Sequence, residues 1–319
     1  KNIKDTIKVK VGIDQIITIK ETHRGPIISN IHPYKFIYNK DNLDIPPISM
    51  RWSGSEFSDE MLAFYKLNKA KNWNEFRDAV KYFGIPGQNF VYADAQGNIG
   101  YIMGARIPLR NSNNPTLVFD GTTSENDWNG FISTEEIPTI LNPAENFIAS
   151  ANNKTLKDFK YHISNLWEPS SRIDRVRELL TYKQKHSVND FKNYQMDQVS
   201  PYARTIVSYI IKSFEGIKVK DKNLNTSLEL LRKWDFDMNK FSQTPAIYSV
   251  FLKYLLRNIY HDEMGDDLYN RFVFLANVPY RSLLQILEKP ESVWFDDIKT
   301  SKKEKREEIL RKSLADALS

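Results

Sequence analysis

A chain of 319 residues with 41% hydrophobic and 13% aromatic content can bury a substantial core, as one large domain or two ordinary ones, and it is not a disordered sequence. Its 45 basic and 40 acidic residues are interleaved, as in Lys302-Lys303-Glu304-Lys305-Arg306-Glu307-Glu308, which reads as a solvated helix face and not as a nucleic-acid patch. The absence of cysteine excludes a disulfide framework, a thiolate zinc site and a cysteine nucleophile, and no apolar run approaches a membrane span: Phe272 to Ala276 is among the longest and stops at Asn277.

The chain opens at Lys1, with no methionine and no signal sequence, directly into a strand-like pattern, so the natural polypeptide is expected to begin upstream. Over residues 6 to 30, Ile7, Val9, Val11, Ile13, Ile16, Ile17 and Ile19 alternate with polar positions, and breaks fall at Gly12 and Arg24-Gly25-Pro26. That pattern predicts three strands joined by turns. After a loop around Asp44-Ile45-Pro46-Pro47, Ile48 to Trp52 reads as a further strand. A helix is expected over Ser58 to Ala70, with Met61, Leu62, Tyr65 and the Lys69 stem on one face. Asn72 then caps a second helix with Glu75 at the capping-box position, and Gly84 and Pro86 end it.

The stretch from Gln88 to Arg110 organises its surroundings. Phe90, Tyr92 and Ala93 lead into the turn Asp94-Ala95-Gln96-Gly97-Asn98, and Ile99, Tyr101 and Met103 lead out, which is a β-hairpin. A polar loop from Asn111 to Asn114, a short strand from Thr116 to Phe119, a turn-rich segment to Gly130 and a buried strand from Phe147 to Ala151 follow. Beyond Lys154 the pattern turns helical. Helices are expected from Ser171 (Ile173, Val176, Leu179 and Leu180 on one face), from Ser187 with Asp190, from Ser200-Pro201 to about Phe214, and from Thr244-Pro245 to about Tyr260. Two more cover Tyr280 to Glu288 and Ser301 to Leu318, the last with Glu304 completing a capping box. The expected organisation is α+β, with a β-rich part over 1–154 and a mainly helical part over 155–319.

The histidines at 23, 32, 162, 186 and 261 show no metal-ligand spacing and read as surface or turn residues. His261-Asp262-Glu263 with Asp266 and Asp267 reads as a hydrophilic loop without the spacing of a calcium site. There is no GxSxG elbow, GxGxxG fingerprint or P-loop. Two polar positions stand out by their setting. Asn152 and Asn153 end an apolar stretch, where an amide is either aimed into a cleft or simply turns the chain out of a sheet. Arg172 begins a helix, where the macrodipole disfavours a cation, so something other than helix stability places it.

Several elements recur in one order: Thr22-His23-Arg24-Gly25-Pro26; Arg51-Trp52; Lys71-Asn72-Trp73 with Glu75; and Tyr92-Ala93-Asp94 through Gly97-Asn98-Ile99-Gly100-Tyr101 to Gly104 and Pro108. Trp128-Asn129-Gly130, Pro138 and Asn142-Pro143 follow, then Trp167 five residues before Arg172, then Gln195, Asp197 and Trp234-Asp235. With these the chain resembles the β-chain of the penicillin acylase family, amidohydrolases of the N-terminal nucleophile class. The resemblance implies an αββα sandwich of antiparallel sheets between helical layers. It implies a nucleophilic serine at the β-chain N-terminus, released by autocatalytic cleavage, whose own α-amine is the base and which carries an acyl-enzyme. The family's oxyanion donor matches Asn152 and its site-orienting arginine matches Arg172.

The pattern enters the family after the nucleophile, so the resemblance implies an internal β-chain segment that is inactive alone. Its implied partners are an N-acyl amide, the α-chain and the N-terminal β-chain segment, with neither nucleic acid nor a membrane span. No cofactor is required. The family's structural calcium draws most ligands from upstream and is not expected here; Asp158 and the Pro115 carbonyl are the alternatives within this chain. A periplasmic or secreted location is implied as well, and β-lactams, N-acyl homoserine lactones and other N-acyl amides are not separated. The alternative is a non-catalytic binding or scaffold protein that keeps the fold without the nucleophile.

Overall fold

The structure, a computed structural model, describes residues 1–32, 46–111, 117–155, 158–275 and 277–319. The loop at Asp44-Ile45, most of the loop after Asn111 with Pro115 and Thr116, and Ala276 lie outside the described residues. The chain divides into two compact units, Lys1–Ile148 with Leu156–Asn165, and Ala149–Thr155 with Leu166–Ser319.

In the first unit, β1 (Asn2–Ile7) pairs antiparallel with β2 (Gln15–Thr22), and β3 (Gly25–Pro26) adds a short third strand. Asp14 ties the β1–β2 connection, accepting from Lys8 Nζ at 2.7 Å and from the Val9 amide at 3.2 Å. No residue of β1 or β2 is buried. Gly25 sits at φ +118° with room for no side chain, since a Cβ there would lie 2.3 Å from the Met50 carbonyl oxygen. The expected strand over Ile48 to Trp52 does not form: it makes a single bridge, Ile27 with Ser49, and passes into a 3-10 turn at Ser53–Ser55.

Helix α1 (Glu60–Leu67) starts at Asp59, whose carboxylate accepts from the Leu62 amide at 2.9 Å. Its packed side is not the expected one. Ala63 is buried, whereas Met61 and Tyr65 are 80% and 57% exposed and Lys69 folds back over the Tyr65 ring. Helix α2 (Trp73–Val80) is capped as expected: Asn72 Oδ1 accepts from the Glu75 amide at 3.0 Å, and Glu75 reaches back to the Lys71 amide at 2.9 Å.

The hairpin forms as predicted from β4 (Gln88–Ala93) and β5 (Ile99–Gly104), with Tyr92 opposite Gly100. Asp94 holds its turn by accepting from the Gln96 and Asn98 amides at 3.0 and 2.9 Å and from the Tyr92 hydroxyl at 2.7 Å. Strand β6 (Thr139–Leu141), unforeseen in the sequence, completes this sheet beside β5. Val80 of α2 joins Ile102, Met103, Ile107, Ile132 and Ile137 in the core of this unit. Neither Leu117 to Phe119 nor Phe147 to Ala151 forms a strand, and of the latter only Ala151 is buried. An apolar run needs a partner ladder to become a strand, and none lies beside these among the described residues.

The second unit carries α3 (Ser171–Thr181), α4 (Val188–Gln195), α5 (Pro201–Ser213), α6 (Lys222–Lys233), α7 (Gln243–Val273), α8 (Val278–Leu287) and α9 (Arg306–Asp316). The helix starts at Ser187 and Ser200 form as predicted, the first closed by a capping box with Asp190. Helix α6, with Leu228 and Leu231 buried, was not anticipated. Helix α7 starts at Gln243, with Ser242 and not Thr244 in the N-cap position, and runs past Tyr260 with a break at Gly265 (φ 67°, ψ 171°). The acidic stretch at His261 is therefore helical and not a loop, with His261 bonded to Asp266 at 2.7 Å and Asp262 accepting from the Ile298 amide at 2.9 Å. Helix α9 starts at Arg306, with Glu308 and not Glu304 in the box; Glu304 instead accepts from the Asp297 amide at 3.1 Å and the Thr300 hydroxyl at 2.9 Å. Ile206, Ile210, Leu228, Phe251, Leu255 and Leu283 are among the residues that close a continuous core in this unit. Among the described residues no helix is long and apolar enough to cross a membrane.

Candidate functional site

The second unit opens with the segment around Asn152. Asn152 takes φ 58°, the left-handed region that asparagine tolerates better than most residues. Its carbonyl accepts from the Glu168 amide at 3.0 Å. Its neighbour does the turn's work: Asn153 Oδ1 accepts from the Ala151 amide at 3.0 Å and its Nδ2 donates to the Lys154 carbonyl at 3.3 Å. Asn152's own amide group is exposed and makes no hydrogen bond among the described residues. The turn role open to an asparagine here thus falls to Asn153.

The peptide group between Trp167 and Glu168 holds this turn from the other side. Its N–H donates to Asn152, and its carbonyl accepts from Asn277 Nδ2 and from Arg281 Nη1, each at 3.1 Å. A cationic donor on the carbonyl polarises the same peptide and strengthens the N–H as a donor. Asn277 and Arg281 stand at the start of α8, so a contact across more than 100 positions of sequence fixes the backbone of Asn152. Nothing in the sequence pattern marked either residue.

Arg172 is the second residue of α3, exposed and without a side-chain partner among the described residues. The helix beneath it is firmly held. Arg175 grips Asp197 in a two-pronged pair at 2.8 and 2.7 Å and reaches Glu178 at 2.9 Å, while Arg204 donates to Glu178 at 2.7 Å. The Arg175 guanidinium holds the Asp197 carboxyl below its ordinary value, and Arg204, then Arg175, does the same for Glu178. Asp197 entered the sequence reading only as a recurring element, and its partner Arg175 was missed; an arginine three positions after Arg172, on the same helix face, was the available signal.

Among the described residues no three of histidine, aspartate and glutamate group as a metal site, and Asp158 is an exposed residue of the first unit. The Pro115 carbonyl lies outside the described residues.

Known proteins match this chain throughout. The family described as penicillin amidase matches residues 1–319. The penicillin acylase 2 proenzyme of Pseudomonas sp. (strain SE83) is 27% identical over 259 residues, 80% of this chain and 31% of that protein. The acyl-homoserine lactone acylase QuiP of Pseudomonas syringae pv. tomato is 25% identical over 335 residues, 99% of this chain and 39% of that protein. Penicillin G acylase of Escherichia coli is 28% identical over 265 residues, 79% of this chain and 30% of that protein. The chain therefore spans between 30% and 39% of the length of these relatives. A solved thermostable penicillin G acylase from Alcaligenes faecalis superposes with a TM-score of 0.79 at 20% identity, covering 99% of this chain and 59% of that one, and shares its fold. Matched by the family description from its first residue to its last, the chain belongs to the penicillin amidase family.

Proposed function

We propose that this chain is the segment of an N-acyl amide hydrolase that supplies the oxyanion donor, Asn152, and the orienting arginine, Arg172. The observation that carries the reading is the division of labour at Asn152 and Asn153: the turn is closed by Asn153, leaving the Asn152 amide without an internal partner on a backbone pinned by the Glu168 N–H. A donor held ready and unspent is what stabilisation of a tetrahedral oxyanion requires, because it needs no reorganisation as charge develops. Relatives named as penicillin acylases and acyl-homoserine lactone acylases support the reaction class.

In this reading the nucleophile is a serine upstream of Lys1 that becomes N-terminal after processing. Its hydroxyl attacks the amide carbonyl while its α-amine takes the proton. The amine leaves, and water releases the acyl group. Asn152 donates to the oxyanion in both steps, and Arg172 orients the groups around it. The 319-residue chain alone is inactive, and the whole protein works outside the cytoplasm, in the periplasm or secreted.

The test is hydrolysis of a chromogenic N-acyl amide by the whole gene product. Asn152→Ala is expected to lower kcat by roughly 100- to 1000-fold with folding and processing unchanged, and Arg172→Ala to slow the acyl-enzyme burst. An Asn152→Ala protein with ordinary kcat would remove the oxyanion role, and turnover by the 319-residue chain itself would refute the upstream nucleophile.

A further inference from the structure

The first unit contains a cavity of about 380 Å³, within the range of roughly 300–1,000 Å³ typical of small-molecule sites. Three arginines line it: Arg24, Arg51 and Arg110. Two of them are spoken for. Arg24 pairs with Asp127 at 2.5 Å and donates to the Gly121 and Thr123 carbonyls at 2.7 and 2.5 Å, and Arg51 pairs with Glu56 at 2.5 Å. Arg110 has no acceptor for its side chain among the described residues. It is half-buried, and burial pushes its guanidinium pKa down.

Its position is fixed all the same. Backbone bonds between Leu109 and both Asn129 and Gly130, each 3.0 Å, and the bridge from Pro108 to Phe131 set Arg110 against Trp128. The Arg110 guanidinium lies 5.4 Å from the Trp128 ring centroid and that of Arg51 lies 5.2 Å from the same centroid. Stacking satisfies the face of a guanidinium and leaves its in-plane N–H donors to be matched. A half-buried cation with unmet donors is costly unless an anion meets them.

The rest of the lining says which anion. Ile48, Met50, Val118 and Phe119 supply apolar wall, and the carboxylate that also lines the cavity, Asp120, accepts at Oδ1 from the Thr122 amide and hydroxyl at 2.8 and 2.7 Å. A multiply charged inorganic anion would meet Asp120 and waste the apolar surface. A monoanionic carboxylate with an apolar tail uses both parts, because a carboxylate accepts two parallel N–H bonds from a guanidinium and its tail covers the wall. We propose that this cavity binds a small amphiphilic carboxylic acid in its ionised form, with the carboxylate on Arg110 and the apolar body against Ile48, Met50 and Phe119. The proposal does not depend on the hydrolase reading, since neither Asn152 nor Arg172 takes part.

Calorimetric titration of the 319-residue chain with octanoate, octanol and sulfate tests it. Octanoate is expected to bind, and Arg110→Met to weaken it roughly ten- to hundredfold, the range for hydrogen bonds to a charged group. Arg110→Lys, which keeps the charge without the fork, should fall between them, and circular dichroism melting establishes that each variant is folded. Octanol should bind at least tenfold more weakly than octanoate. Octanol binding equal to octanoate, sulfate binding as tight as octanoate, or undiminished octanoate binding by folded Arg110→Met would each overturn the proposal. So would absence of octanoate binding to the unaltered chain at millimolar concentration.

Discussion

Two hairpins of the first unit make an instructive pair. β1–β2 and β4–β5 are both antiparallel ladders six residue pairs long. In β1–β2 no residue is buried and Ile16 is 74% exposed, whereas in β5 Tyr101 and Ile102 are each 2% exposed. Strand propensity does not explain this, since β2 is the richer in β-branched residues, with Ile16, Ile17, Thr18 and Ile19 in one run. The difference is a third element. Helix α2 lays Trp73 and Val80 across β5, and Gly100 makes the room: a Cβ there would meet the Trp73 ring at 2.4 Å. A strand is specified by its own residues, but a core is specified by what covers it.

The largest effect should come from breaking the covered hairpin. Ile102→Ala removes a side chain packed among Val80, Met103 and Ile137, and is expected to lower the stability of the first unit by about 2–5 kcal/mol. Urea titration followed by exchange of the β5 amides measures it. A loss below about 1 kcal/mol would mean that the α2–β5 contact is not what separates the two hairpins.

That contrast also explains what was legible in the sequence. Several features closed within a few residues were read correctly, namely the Asn72 cap with Glu75, the Asp94 turn with Asn98 and the Ser187 start with Asp190, although the capping box expected at Glu304 forms instead at Glu308. Features that need a distant partner were misread. Ile48 to Trp52 has strand composition and finds only one bridge, while Thr139–Leu141 looks unremarkable and becomes a strand because β5 offers it an edge. The face assigned to α1 failed for the same reason, since Met61 and Tyr65 look like core until Ala63 is seen to be the buried side. At the candidate site, family resemblance singled out Asn152 and Arg172. The residues around them that sequence pattern did not assign, Asn277, Arg281 and Asp197, act through tertiary contacts that no local spacing encodes, whereas Arg175 stood within reach of a helical spacing from Arg172.

Protonation offers a gentler way to sharpen the comparison. Each hairpin has a carboxylate nearby: Asp14 in the β1–β2 connection, exposed, and Glu60 of α1 beside the segment that leads into β4. The Ser58 hydroxyl, then the Ile85 amide, holds the Glu60 carboxyl down to about 2 from an ordinary 4.5, with the Gly84 amide at 3.0 Å adding to the set. A carboxyl whose folded value lies below its unfolded value contributes fully above the unfolded value and loses that contribution as pH falls toward the folded one. Stability of the first unit should therefore decline between pH 4.5 and pH 2 more steeply in the unaltered chain than in Glu60→Gln, with no difference in slope above pH 4.5. Denaturant midpoints across that window report it. Parallel slopes would show that Glu60 does not tie α1 to the covered hairpin.

The smallest effect belongs to the bare hairpin, and its smallness is the point. Ile16 shares the outer side of β2 with Thr18 and Lys20, so it already stands among polar neighbours. Ile16→Thr keeps the β-branch that suits an extended backbone and removes only apolar surface that is 74% exposed. Burial energy lost from a side chain that was never buried is close to nothing, so the change is expected to stay below about 0.5 kcal/mol, with exchange protection across β1–β2 unaltered. A destabilisation comparable to that of Ile102→Ala would require something to cover the β2 face in solution. Self-association would then be the first cause to examine, since an exposed apolar strand face readily seeks a second one, and a dependence of the effect on protein concentration would identify it.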